Sequence, residues 1–428
     1  MTSGAATTAA RSPLRRRPFA LLWAGALVSD LGDWMLLIGL PVFVFQLTGS
    51  ALTTSTVFVA ELVPALVVGQ LGGVLVDRWD RRRILIAASL LQALLLLPLL
   101  AVDSADRLWI VYLVAAAQSG LARVCSPATA ALIPALVPRD ELASANAMNA
   151  VGSSIARLVG SPLGGLAVQL LGLAGIVAVD AATFVVSALF VAAIRVPAAA
   201  SGEAADERPA PERPRSERPH LVADWLDGLR TIVRTPRLGP AIAIGAASQV
   251  AQGMFVVLCV VFVLDVLRAD GAAVGLIRGV QAIGGIVAGI GIGMLHGRVS
   301  NRALVGVGFI AFGTISLVTW NLSAVTDAVA VYVMLFVIVG IPAVATSVGL
   351  QSMIQAITPP THLGRVFAAF ETGAGALQAV GVIVAGALAD RLGVLPILNV
   401  QGSIYVLCGV AALIFLGERA PRRADRTT

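Results

Sequence analysis

The chain has 428 residues, of which 58% are apolar and only 13% charged, with a mean hydropathy of +0.90. Soluble domains carry roughly 25% charged residues, so the composition excludes an ordinary soluble globular protein. The formal charge is +6 and the pI about 10.2, but the basic residues flank apolar runs and are not interleaved with aromatics, which excludes a nucleic-acid-binding surface.

In chain order, a tail over residues 1–18 holds Arg11, Arg15, Arg16 and Arg17. The following run, 19–46, is too long for a signal peptide and contains two aspartates, so it is expected to be retained as a first span. A spanning helix needs ~20 apolar residues. That rule predicts further spans near 52–76, 84–102, 108–133, 143–168 and 173–195, making a bundle over 19–197. Residues 198–220, with Pro209, Pro211, Pro214 and Pro219, cannot pack a core. Leu221, Trp225, Leu226, Leu229 and Val233 then recur at helical spacing, predicting an amphipathic helix at the inner membrane surface. Together these form a cytoplasmic linker, 198–237. Spans near 238–264, 272–297, 302–321, 325–350, 363–388 and 392–416 make a second bundle over 238–416, and 417–428 is a cytoplasmic tail. The expected fold is all-α and integral to the membrane: about twelve transmembrane helices in two pseudo-symmetric six-helix bundles.

The arginines support this map. All 30 basic residues are Arg. They collect in alternate gaps, leaving only Arg107, Arg268 and Arg391 in the others, with Arg123, Arg157 and Arg278 inside spans. Basic loops stay cytoplasmic, so both termini are expected inside. The absence of Lys, with abundant Ala, Gly and Val, points to a high-G+C bacterial genome and hence an inner plasma membrane.

Both halves carry similar segments at equivalent places, as transporters built from repeats do. Gly73-Val-Leu-Val-Asp77-Arg78-Trp-Asp80-Arg81-Arg82 follows span two, and Gly293 to Arg302 follows span eight with Arg298 and Arg302 in register. Gly165 to Gly172 in span five matches Gly386 to Gly393 in span eleven.

These residues resemble the major facilitator superfamily. Gly73, Asp77, Arg78, Arg81 and Arg82 fit its G-x-x-x-D-R-x-x-R-R signature, with Asp80 where the family usually has Gly. Gly160-Ser161-Pro162-Leu-Gly164-Gly165 is similar to the G-P-x-x-G-G element of proton-coupled drug exporters, with Ser161 inserted. Gly32-Asp33-Trp34, Asn146-Ala-Met148 and Asp180-Ala-Ala-Thr183-Phe184 resemble the branch holding macrolide and siderophore exporters. The resemblance implies a cytoplasmic gate at Asp77 and its arginines. It also implies alternating access driven by protons, exporting hydrophobic drugs, macrolide-like natural products or siderophores. A small-molecule substrate, protons and the lipid bilayer are then the partners, with no cofactor, no metal, no nucleic acid, and the chain working as a monomer. A facilitator-type importer and a non-transporting membrane sensor remain alternatives. An enzyme is not expected: Cys125, Cys259, Cys408 and the three histidines form no cluster, and there is no G-x-x-x-x-G-K motif.

Charges inside spans locate the candidate site, because each costs on the order of 3 kcal/mol at mid-membrane. Asp30 and Asp33 fall about midway along span one by helical rise and share one face. With Glu61, Arg123 and Glu371 they form the expected proton-coupling and substrate-cavity group. Pairing of Asp33 with Arg157 is the structural alternative. Asp180 and Arg278 are placed nearer span ends and read as structural. Trp34, Phe58, Gln249, Gln252, Phe255, Gln281, Gln351 and Gln355 are expected to line the cavity. Glycines four apart (Gly69 and Gly73, Gly160 and Gly164, Gly285 to Gly297) are expected to let helices approach closely.

Overall fold

A computed structural model describes residues 13–78, 80–194, 221–236, 238–295 and 299–416; for 65–78, 139 and 221–224 it describes the backbone. Twelve α-helices follow in order: α1 Arg17–Thr48, α2 Ala51–Arg78, α3 Arg81–Leu96, α4 Leu108–Leu136, α5 Leu142–Ala192, α6 Leu221–Arg234, α7 Leu238–Val261, α8 Gly271–Met294, α9 Asn301–Asn321, α10 Val329–Ile357, α11 Leu363–Leu392 and α12 Val394–Phe415. No strand occurs among the described residues. Ten helical stretches there are long and apolar enough to cross a bilayer. One of them, α5, is two spans merged across a break at Gly172. The 28-residue α2 supplies a further span. The protein is thus a multi-pass, all-α membrane protein of about twelve spans, with α6 falling between the two sets of six in the chain order.

The repeat found in the sequence has a structural counterpart at two places. Gly172 adopts φ 64°, ψ −165°, and its repeat partner Gly393 adopts φ 83°, ψ 166°. This conformation is nearly restricted to glycine, and it ends span five and span eleven in the same way. The second place is the start of α3 and of α9. Asp80 caps α3 by accepting from the Arg83 amide at 2.8 Å. Ser300 caps α9 by accepting from the Ala303 amide at 3.2 Å. Asp80, which departs from the family pattern, is therefore a helix cap. Two residues on, Arg82 donates to the carbonyls of Val191, at 3.1 Å, and Ala192 at the end of α5. Arg302 donates to the Leu413 carbonyl near the end of α12. Each arginine answers carbonyls in the last turn of a helix, where intrahelical donors run out.

The chain divides into two compact units. The first comprises Met1–Gly49, Thr56–Arg218 and Asp270–Gly279. In it α1 lies along both arms of α5. Its apolar core at one end joins Phe19 and Leu22 to Ile84, Leu85, Leu132, Ile133 and Val191. Arg16 holds Glu141, just before α5, through two hydrogen bonds of 2.8 and 3.0 Å, and this carboxylate lifts the Arg16 guanidinium above its ordinary value.

The second unit comprises Ser50–Ser55, Pro219–Ala269 and Val280–Thr428. Phe255, Phe262, Trp320, Tyr332 and Phe336 form a packed aromatic core with ring centroids 5.0–6.3 Å apart. At the end of α11, Asp390 accepts from Ser50 Oγ at 2.7 Å, the Ala51 amide at 2.8 Å and the Leu52 amide at 3.2 Å, capping the start of α2. The amphipathic α6 rests on the start of α11. Asp227 accepts from Arg365 Nη1 at 2.7 Å, Ile232 is buried, and Val233 is 82% exposed. The apolar face read from spacing is therefore divided: Trp225 and Leu229 are half-buried while Leu226 and Val233 point outward.

Candidate functional site: a polar cavity and buried charges in the first unit

Small residues decide where the charged groups of α1 fall. A Cβ at Gly160 would overlap Leu31 and Trp34, and one at Gly164 would overlap the Met35 backbone. These two glycines seat α1 against the first arm of α5. Gly32 seats it against the second arm, since a Cβ there would overlap the side chains of Asp180 and Thr183. The remaining motif residues face elsewhere. Gly165, Ser161 and Pro162 lie against Gly271, Gly275 and Gly279, the first turns of α8. The exporter-type motif is thus a double packing surface, with helix contact as close as small residues permit.

Between α1, α3, α4 and α5 lies a cavity of about 430 Å³. Asp30, Asp33, Ser29, Ser89, Gln92, Ser126, Thr129, Asn146, Asn149 and Ser153 give it polar walls, and Trp23, Leu22 and Ile133 give it apolar ones. Asp30 Oδ2 accepts from Ser153 Oγ at 2.8 Å. Trp23 Nε1 donates to the Met148 carbonyl at 2.9 Å. Gln118 Nε2 donates to the Gln92 carbonyl at 2.9 Å. Asp33 is exposed to this space.

Behind the cavity wall, charges gather. Asp33 interacts electrostatically with Asp180, Asp30 and Glu61. Glu61 interacts with Arg278, which is only 8% exposed, and Arg278 with Arg157. The Arg157 guanidinium lies 5.3 Å from the Trp34 ring centroid, a cation–π distance. Four carboxyl groups therefore stand with two guanidiniums. Fully ionised, the cluster carries two negative charges beyond its arginines.

Of the candidates read from the sequence, Asp30, Asp33 and Glu61 come together here. Arg123 is exposed on α4 and outside the cavity lining. Glu371 is exposed on α11 in the second unit. Gly73, Asp77 and Arg78 lie on α2, and their side chains fall outside the described residues. Arg81 donates to the Ala131 carbonyl on α4 at 3.0 Å, and Arg82 binds the end of α5, so both act within the first unit. None of the eight side chains expected to line a cavity lines this one. Phe255 belongs to the aromatic core, Phe58 is 4% exposed, and Gln252 Oε1 accepts from Tyr405 at 3.1 Å.

Asp180 and Arg278, placed by the sequence nearer the ends of their spans, both join the charge cluster. Asp180 stands eight residues beyond Gly172 in the second arm of α5, well inside its span. The cavity's uncharged polar wall was also missed. Its signal was present, since Ser89 and Gln92, Ser126 and Thr129, and Asn146, Asn149 and Ser153 recur at helical spacing within apolar runs.

Similarity to known proteins agrees with this architecture. The profile of the Major Facilitator Superfamily matches residues 22–355 and 245–428. The multidrug efflux pump Tap of Mycolicibacterium fortuitum is 27% identical over 413 residues, 93% of this chain and 96% of Tap. Macrolide efflux protein A of Streptococcus pyogenes is 24% identical over 394 residues, 92% of this chain and 94% of that protein. Among solved structures, a point mutant of the nucleoside transporter NupG superposes with a TM-score of 0.75 over 94% of this chain and 100% of its own, at 12% identity, which speaks to the fold alone. Two sets of six spans carrying the same break and the same caps, matched by a family profile over residues 22–428, make this chain a transporter of the Major Facilitator Superfamily.

Proposed function

We propose that the chain is a proton-coupled exporter of bulky, partly apolar solutes such as macrolides, working by alternating access as a monomer in a bacterial inner membrane, with both termini cytoplasmic. The observation that carries this reading is the excess of carboxyl groups over guanidiniums in the cluster beside the cavity, where Asp30, Asp33, Glu61 and Asp180 stand with Arg157 and Arg278. A buried carboxylate must be paired or neutralised, and the described residues offer four acids to two arginines. Protons neutralise the surplus reversibly, and Asp30 and Asp33 do so where a cavity meets them. The cavity's mixture of Trp23, aliphatic side chains, hydroxyls and amides suits a solute with apolar bulk and a few polar groups. The names of the relatives, a macrolide efflux protein and a multidrug efflux pump, support export and this solute class.

The test is efflux in cells and proteoliposomes with an imposed pH gradient, using Asp30→Asn and Asp33→Asn one at a time. Gradient-driven efflux of a macrolide should fall in at least one variant while protein level and folding persist. Undiminished efflux in both removes these residues as proton carriers. Higher macrolide accumulation in expressing cells than in empty ones reverses the direction.

A further inference from the structure

We propose that Asp180 is a resident neutral acid that exchanges its proton with Asp33, making it the buried partner of the cavity-facing carboxyl. The inference rests on the proton-coupled reading above and assigns a second residue to that path.

Asp180 is fully buried, at 0% exposure. Its Oδ1 lies 3.3 Å from Thr183 Oγ1, which gives its stronger bond, at 2.7 Å, to the Asp180 carbonyl. Its Oδ2 is buried with no hydrogen-bond partner among the described residues. A carboxylate so placed would be a desolvated charge with one oxygen unsatisfied, whereas the acid form carries no net charge to desolvate. The surroundings argue the same way. Asp33 on α1 is the acid that interacts with Asp180; Asp33 in turn interacts with Asp30 on α1 and Glu61 on α2, while Arg278 on α8 interacts with Glu61 and with Arg157 on the first arm of α5. Cys125 on α4 also interacts with Asp33.

Gly32 explains how the two acids come to share a neighbourhood. With no side chain at that position, the α1 backbone closes onto the Asp180 carboxyl and Thr183 hydroxyl, and the next residue is Asp33. In the exchange, the O–H bond of Asp180 breaks, an O–H bond forms on the Asp33 carboxylate, and the negative charge passes to Asp180. Asp33 then delivers its proton to the cavity, and the reverse path reloads Asp180 from that side. No electron transfer or co-reactant is needed.

Infrared spectroscopy of the purified full-length protein tests this without any substrate. At neutral pH the wild type should show carbonyl stretches of protonated carboxylic acids, shifted in heavy water, one of them the band of Asp180. Asp180→Asn should remove that band, Thr183→Val should move it, and Asp30→Asn should leave it in place. An unchanged set of bands in Asp180→Asn overturns the assignment. Should that variant fail to fold, Asp180→Glu keeps an acid there and must shift the band; an unshifted band overturns the assignment equally. In proteoliposomes loaded with radiolabelled erythromycin, Asp180→Asn should retain exchange without a gradient and lose gradient-driven accumulation. Accumulation like wild type in that variant, with the wild type responding to the gradient, overturns this inference alone. A wild type indifferent to the gradient overturns the proton-coupled reading and this inference with it.

Discussion

Replacing Gly172 by Ala isolates a backbone effect, because a Cβ there would meet nothing within 4 Å. The entire cost is conformational. At φ 64°, ψ −165°, a side-chain-bearing residue occupies a region that costs about 1–3 kcal/mol. Gly289 provides the control. It also has nothing within 4 Å of a built Cβ, but it lies inside α8, where Ala is better than Gly by about 0.8–1 kcal/mol. The two substitutions add the same atom to equally open space and should move stability in opposite directions. The expected gap between them is about 2–4 kcal/mol. Equilibrium unfolding in mixed micelles, followed by tryptophan fluorescence, measures it, with each tenfold change in the unfolding constant worth about 1.4 kcal/mol. Gly393→Ala extends the experiment, since Gly393 also has open space and a similar conformation, φ 83° and ψ 166°; it should behave like Gly172→Ala. Equal stability of the Gly172 and Gly289 variants would refute the claim that glycine is required at the break between spans five and six.

Arg82→Ala and Arg302→Ala should each cost about 1–3 kcal/mol, by leaving helix-end carbonyls without their charged donor; Lys should recover only part, because a single ammonium does not reproduce the guanidinium fork. The same unfolding assay reads both, and a cost in one alone would contradict their shared role in the two halves. Asp390→Ala should cost about 0.5–2 kcal/mol as the loss of a helix cap and speed hydrogen exchange at the Ala51 and Leu52 amides; unchanged exchange at those amides would show that the three contacts do not hold the start of α2.

The helices were legible because their cause is local. A span must be apolar over a length set by the bilayer and must satisfy its own backbone, so runs of composition suffice to place it. The arginine alternation is likewise written in the chain. Even the repeat could be read, from Gly165 to Gly172 against Gly386 to Gly393, although the glycine's conformation could not. The division of the α6 apolar face was not legible either, because Asp227 and Gly228 turn one side of that helix toward Arg365.

The site divides the same way. Sequence alone marked Asp30, Asp33 and Glu61 as ionisable residues within apolar runs, since such a residue identifies itself by its transfer cost. Which charges share a neighbourhood was decided by tertiary structure. Asp33 and Asp180 are far apart in the chain, and they come within electrostatic reach because Gly32, Gly160 and Gly164 let α1 settle against both arms of α5. Arg278 reaches the same cluster because the first turns of α8 pack on Gly165, Ser161 and Pro162. Periodicity reports which face of a helix is apolar; the close approach of two backbones depends on side chains missing from both, and that pairing has no signature in either segment alone.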